Sequence, residues 1–270
     1  MLNVNDITIT SLDIITAYSL AGVPRFILDE LQDAQISNTQ EKEDITGKAG
    51  RKLNSLKRNK AATVSGTNGM LSAGLLEAQT GSAFESREST PVEWSETLVI
   101  SDDAATTTYK AAGTAGAEIT ALYIKDGVGA ATEKLEQDAT PGTGKFAYDP
   151  ATKQLTFTSG AYEDGTEIIA FYVRHVPGDV LANDSEMYSE KLRLVIDATA
   201  EDKCSNVYHL QIEFPKADFN GDFDIQMGDS QAVHAFEAES LVNTASCGGN
   251  ARGGNLWTWT IFGANAEDVA

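Results

Sequence analysis

The chain has 270 residues, of which 40 are acidic and 20 basic, for a net charge of −20. That charge excludes nucleic-acid binding over a broad surface, because affinity for phosphates comes from Lys and Arg displacing counterions. Hydrophobic residues make up 41% and charged residues 22%, which excludes wholesale disorder and permits one large β domain or two smaller ones.

Taken in chain order, strand signals dominate. Ile7 to Ser19 alternates and is rich in Ile and Thr, Gly22-Val23-Pro24 marks a turn, and Arg25 to Ile36 resumes an extended pattern, which together predict a hairpin. Residues 37–57 lack apolar periodicity and carry Gly47 and Gly50, so an exposed loop or extended arm is expected there. Lys60 to Gly66 is a short strand candidate. Asn68 to Gln79 predicts the one long helix: Asn68 caps it, Met70, Leu71, Gly74, Leu75 and Ala78 form its apolar face, and Gly81 follows its end.

Short strands then follow one another at Trp94–Ser101, Thr106–Ala111, Ile119–Lys125, Lys145–Tyr148, Gln154–Thr158 and Thr166–Val176. They are separated by the turn dipeptides Asp126-Gly127, Pro141-Gly142, Asp149-Pro150 and Asp164-Gly165. This regularity points to a sandwich or barrel, with residues 95–176 either an inserted β-sandwich or part of the main sheet. After Pro177-Gly178, strands are expected at Glu190–Ala198, Asn206–Phe214, Phe219–Met227, His234–Val242 and Leu256–Phe262. Trp257 and Trp259 fall on one face of the last strand and are expected to close the core.

Candidate chemistry is sparse. Gly142-Thr143-Gly144-Lys145 is not a phosphate loop, since Ala139 stands where the first Gly is needed and Phe146 where a Ser or Thr is needed. Asp218, Asn220, Asp222, Asp224 and Asp229 approach a calcium loop, but Phe223 occupies the Gly position and Asp229 replaces the bidentate Glu. An acidic strand accounts for the same alternation. His175, His209 and His234 are scattered and no nucleophile elbow accompanies them, so neither catalytic residues nor a metal or cofactor is assigned. Cys204 and Cys247 fit no ligand spacing and make no disulfide framework; free thiols in a reducing compartment are expected. No apolar run reaches the length of a membrane span, and MLNVNDITITSLDII has neither the basic region nor the cleavage site of a secretory signal.

One window departs from the acidic body. Residues 42–60 hold Lys42, Lys48, Arg51, Lys52, Lys57, Arg58 and Lys60, seven of the 20 basic residues. No aromatic residue lies between Phe26 and Phe84 to stack on a base. Besides a merely solvated loop, the pattern suits contact with an acidic neighbour, and complementary patches on one subunit build rings or filaments.

The stretch LQDAQISNTQEKEDITGKAGRKLNSLKRNKAATVSGTNGMLSAGLLEAQTG, from Leu31 to Gly81, resembles the N-terminal half of tail tube proteins of long-tailed (siphovirus-type) bacteriophages. So does the ending, where QAVHAFEAESL precedes a Cys-Gly-Gly loop and LWTWTIFG; KFAYDPATKQLTFTSGAYEDGTEIIAFYVRHV is similar to sandwich strands of phage virion proteins. The resemblance implies a mainly β, antiparallel sandwich or barrel over residues 1–270 with one packed helix and extended loops, completing a barrel between subunits. It implies a non-enzymatic virion protein, assembled in the host cytoplasm, whose six-fold rings stack into a tube. Its partners would be itself, the tape measure, terminator and tip proteins, and DNA passing transiently through the lumen, with no membrane. It makes 42–60 the arm between rings, with Lys48, Arg51, Lys52, Lys57, Arg58 and Lys60 facing an adjacent subunit. Asp33, Gln35 and Ser37, or Thr63 and Ser65, are candidates for the lumen. A head-tail adaptor, tail terminator or decoration protein is the alternative. A secreted carbohydrate-binding sandwich would need a signal sequence and an exposed aromatic platform.

Overall fold

Two runs of β-branched residues, Ile7 to Thr10 and Ile14 to Thr16, make Ile7–Tyr18 a strand, and the same preference for a pleated, half-buried surface recurs along the chain. A computed structural model describes residues 6–125, 131–225, 233–242 and 254–263. Its strands are β1 (Ile7–Tyr18), β2 (Pro24–Leu28), β3 (Leu31–Thr46) and β4 (Lys52–Asn68), followed by helix α1 (Ala73–Thr80). β5 (Glu85–Val99), β6 (Ala104–Thr106), β7 (Ile119–Lys125), β8 (Ala131–Gln137), β9 (Lys145–Asp149), β10 (Gln154–Thr156) and β11 (Glu167–Val180) come next. β12 (Lys191–Asp202), β13 (Val207–Phe219), β14 (His234–Ser240) and β15 (Thr258–Gly263) complete the chain. The architecture is mainly β, built of antiparallel sheet with one α-helix among the described residues.

Two compact units result, one from Glu85–Val180 and one from the chain on either side. The flanking unit is a sheet of order β2-β1-β12-β13-β14-β4-β3, with β15 also on β13. Its core holds Ile15, Leu28, Val64, Leu75, Leu194, Phe214 and Phe236, all buried. At about 1.5–3 kcal/mol per large side chain, this cluster is the main source of that unit's stability. Leu12, Leu31, Ile36 and Trp257 pack at its margin. The inserted unit orders its strands β5-β11-β7-β8-β9-β10-β6, and among the described residues only β8 and β9 pair in parallel. Ile100, Leu122, Phe146, Leu155, Ile168 and Tyr172 fill its core. Its first and last strands pair, Val180 opposite Glu85, so the insert starts and ends side by side.

Several elements differ from the sequence expectation. Residues 37–57 are not a loop: β3 and β4 pair from Leu31↔Asn68 to Thr46↔Lys52 around a short 3₁₀ turn at Lys48–Gly50. Cross-strand hydrogen bonds hold this ribbon, which no apolar periodicity could announce. The helix starts later, capped by Ser72, whose Oγ accepts the Leu75 N–H, because Asn68 ends β4 instead. Gly81 ends α1 in the left-handed region at φ 72°, a conformation that costs glycine nothing. The strand expected to end at Val176 runs on through Pro177-Gly178 to Val180 as β11, with a register shift between Val176 and Gly178, which is where a strand tolerates proline. Thr106–Ala111 is strand only at its first residue, where β6 ends, and β8 was not foreseen. β13 runs unbroken to Phe219, residues 220–224 of the strand expected at Phe219–Met227 are not strand, and its residues 226 and 227 lie outside the described residues.

Candidate functional site

Alternation in β14 buries His234, Phe236, Ala238 and Ser240 and turns Ala235, Glu237 and Glu239 outward. Direct pairing carries that outward face across neighbouring strands, since residues opposite one another share a face. One row runs Lys191, Asp218, Glu239, Thr63, Ser37 from β12 to β3. The next rows are Glu237, Ser65, Gln35 and Ala235, Thr67, Asp33. The two sets expected as alternative lumen candidates, Asp33–Gln35–Ser37 and Thr63–Ser65, therefore occupy one polar face. Across β12 and β13 the face continues through the pairs Asp197↔Gln211 and Val195↔Glu213.

Two cations on this face, Arg193 and Lys191, are paired with carboxylates. Arg193 Nε lies 2.8 Å from Glu213 Oε1, and Lys191 Nζ lies 3.5 Å from Asp218 Oδ2. Asp13 accepts bonds from Ser11 and Thr199, and these hydrogen bonds hold its carboxyl below the ordinary carboxylate range. Asp33, Glu237 and Glu239 have no ion-pair partner among the described residues. Where β3, β4 and β14 meet the segment after β13, an open trough of about 910 Å³ is lined by residues of both faces, Ala34, Gly66 and Phe236 as well as Asp33 and Glu237, together with Asp222 and Asp224. The opposite face of the sheet is the apolar core on which α1 packs through Leu75 and Ala78.

The six residues named from sequence as an interface sit together on the far half of the β3–β4 hairpin. Lys48 lies in the 3₁₀ turn, Arg51 just after it, and Lys52, Lys57, Arg58 and Lys60 on β4. Every one of them is exposed. Two of the six are spoken for within the hairpin, Lys52 by Asp44 at 2.5 Å and Arg58 by Glu43 at 2.8 Å. The ion pairs depend on strand register, which is why the sequence offered no reason to separate these two from the others.

His234 is wholly buried, its Nε2 2.7 Å from Gln79 Oε1, and burial pushes its pKa down. His175 Nδ1 meets the Ser89 hydroxyl at 2.8 Å on the surface, and His209 lies against Phe262. Asp13 lies within electrostatic reach of His209, and among the described residues no group of three or more His, Cys, Asp or Glu side chains is placed to hold a metal. Lys145 of the Gly142–Lys145 segment is paired with Asp138 at 2.7 Å. Asp229 of the near-calcium loop and Cys247 lie outside the described residues, while Cys204 is a free, exposed thiol. Trp257 packs on the core margin, but Trp259 stays 46% exposed, so only one of the pair closes the core. No described helix is long and apolar enough to cross a membrane.

The model of the YomU/Tube protein family matches residues 8–251, most of the chain. No curated protein matches it.

Proposed function

The chain belongs to the YomU/Tube protein family, a family of phage-derived tube proteins, and we propose that it is the tail tube protein of a long-tailed phage. Copies close into six-fold rings, rings stack into a hollow tube, and DNA leaves the capsid through the bore. The observation that carries this reading is the sheet face running from Lys191 to Ser37, mostly polar and acidic, with Lys191 and Arg193 each paired to a carboxylate. A bore lined by that face repels the phosphate backbone at short range, since screening leaves about 8–10 Å of reach at physiological salt. DNA then slides without sticking.

The sheet also ends openly. β3, 16 residues long, is a terminal strand of its sheet, and β2 is the other terminus. An exposed edge of that length is a template for pairing with another chain, and closing strands into a barrel removes it. Such edge-to-edge pairing around a ring supplies the lateral contact. The protein's work is then mechanical and electrostatic, with tape measure, terminator and tip proteins as neighbours and the virion tail as its place.

Negative-stain electron microscopy of the purified chain at low and high salt tests the reading. Hollow tubes or stacked six-fold rings support it. Single rings that never stack would instead identify a head-tail adaptor or terminator, and a chain that stays monomeric even when seeded with tail tips refutes it.

A further inference from the structure

The dipeptide Asn-Gly occurs twice in the sequence, at Asn68-Gly69 and at Asn220-Gly221. In this pair a main-chain nitrogen can reach the preceding side-chain amide, because glycine carries no Cβ to screen the approach. The fold treats the two sites in opposite ways. Asn68 ends β4, is 3% exposed and is paired on both sides, with Leu31 of β3 and His234 of β14. The nitrogen that would attack it is engaged, since the Gly69 N–H donates to the Glu30 carbonyl at 2.8 Å. Its Nδ2 donates to the Met70 carbonyl at 2.7 Å, and its Oδ1 is buried without a donor.

Asn220 is exposed just beyond β13 and is anchored by its own N–H, which donates to the Glu237 carbonyl at 2.8 Å. The Asp222 N–H donates to Asn220 Oδ1 at 3.1 Å, which holds the side chain over the following backbone and polarises Cγ. Among the described residues neither Asn220 Nδ2 nor the Gly221 N–H has a hydrogen-bond partner. Nucleophile, electrophile and leaving group are therefore all free at Asn220, and all restrained at Asn68.

We propose that Asn220 is a self-modifying site, which converts without an enzyme to aspartate and isoaspartate through a cyclic imide. The Gly221 nitrogen, its proton given to solvent hydroxide, bonds to Asn220 Cγ. Negative charge gathers on Oδ1, where the Asp222 N–H already donates. The Cγ–Nδ2 bond then breaks and ammonia leaves, its last proton supplied by water. Water reopens the ring at either carbonyl: cleavage at Cγ leaves aspartate, and cleavage at the main-chain carbonyl leaves isoaspartate. The balance is water consumed and ammonia released, with no oxidant or reductant. Both products add a carboxylate beside Asp222 and Asp224. Isoaspartate also lengthens the main chain by a carbon ahead of Phe223, whose ring lies against buried His234, and of Ile225, which bridges to the same residue.

Peptide mapping by mass spectrometry tests it, on the full-length chain held folded in mildly alkaline ¹⁸O-water. Asn220 should lose its amide and take up labelled oxygen about tenfold or more faster than Asn68. In urea, where the restraints on Asn68 are gone, the two sites should convert at comparable rates. An alanine Cβ at Gly221 would meet only the Gln79 carbonyl oxygen, at 3.6 Å, and no positive φ is required there. Gly221→Ala therefore keeps the fold and should slow conversion by screening the attacking nitrogen. Asp222→Pro removes the N–H donor and should slow it about tenfold or more. Near-wild-type circular dichroism establishes that both variants fold. An Asn220 that stays intact in the folded chain while urea releases it overturns the proposal, and so does an Asn68 that converts equally fast in the folded chain. Conversion indifferent to both substitutions overturns it too, since direct hydrolysis of the amide uses neither group.

Discussion

Gly81 tests whether the end of α1 is fixed by local conformation or by a neighbouring backbone. At φ 72° an alanine meets the left-handed penalty, about 1–2 kcal/mol for an L-residue. A Cβ there would also stand 2.1 Å from the Tyr188 carbonyl oxygen and 2.8 Å from its carbonyl carbon. That segment cannot simply step aside, because the Glu190 N–H donates to the Ala78 carbonyl at 2.7 Å and ties it to the helix. Forced overpacking of this kind adds about 1–3 kcal/mol, so Gly81→Ala should cost about 2–5 kcal/mol in all. Gly22 is the control: it has φ 89° in the β1–β2 turn, with nothing within 4 Å of its added Cβ. Gly22→Ala should therefore show the conformational cost alone, about 1–2 kcal/mol. Urea unfolding followed by ¹⁹F signals of 5-fluorotryptophan separates the units, since Trp257 and Trp259 report on one and Trp94 on the other. If Gly81→Ala costs no more than Gly22→Ala, or if the loss appears first at Trp94, the argument from the Tyr188 contact is wrong.

His234 is buried and neutral, with its pKa below the usual 6.5 because burial disfavours the cation. The unfolded chain therefore binds a proton first: stability is full above about pH 6.5 and falls as pH drops from there toward the lower folded value. Melting temperatures at pH 5 and 7.5 should show a smaller acid loss in His234→Gln than in wild type, and an equal loss contradicts this. Tyr172 is fully buried, its hydroxyl donating to Glu96 Oε1 at 2.6 Å and accepting the Tyr109 N–H. Burial first, then that carboxylate, raises its pKa above the ordinary 10. Tyr172→Phe should cost the inserted unit about 1–3 kcal/mol by stranding the Tyr109 N–H, Glu96 keeping the Thr108 N–H, read from the Trp94 signal in urea. For the proposed bore, Glu237→Lys with Glu239→Lys should give tubes that retain double-stranded DNA in a salt-sensitive manner where wild-type tubes retain none. Filter binding decides it, and unchanged tubes would remove this face from the lumen.

Composition and alternation were enough to make the chain mainly β, to place β1, β7, β9 and β12 nearly at their observed starts, and to end the one helix at Gly81. Those features are set by local chemistry: β-branched residues, turn dipeptides and a glycine at positive φ act within a few residues. The charge contrast of residues 42–60 was legible for the same reason, since charge is counted without knowing a fold. Register is not local. That Lys52 and Arg58 are neutralised while Lys42 faces Lys57, and that Asp33, Ser65 and Glu237 share a face, follows from cross-strand pairing between residues as much as 176 positions apart, Glu239 and Thr63. The helix start moved to Ser72 because β14 and β3 extend their ladder to Asn68 and take that residue into the sheet. Which carboxylates form a wall, and which lysines are left without a counter-ion, were decided only when distant strands came together.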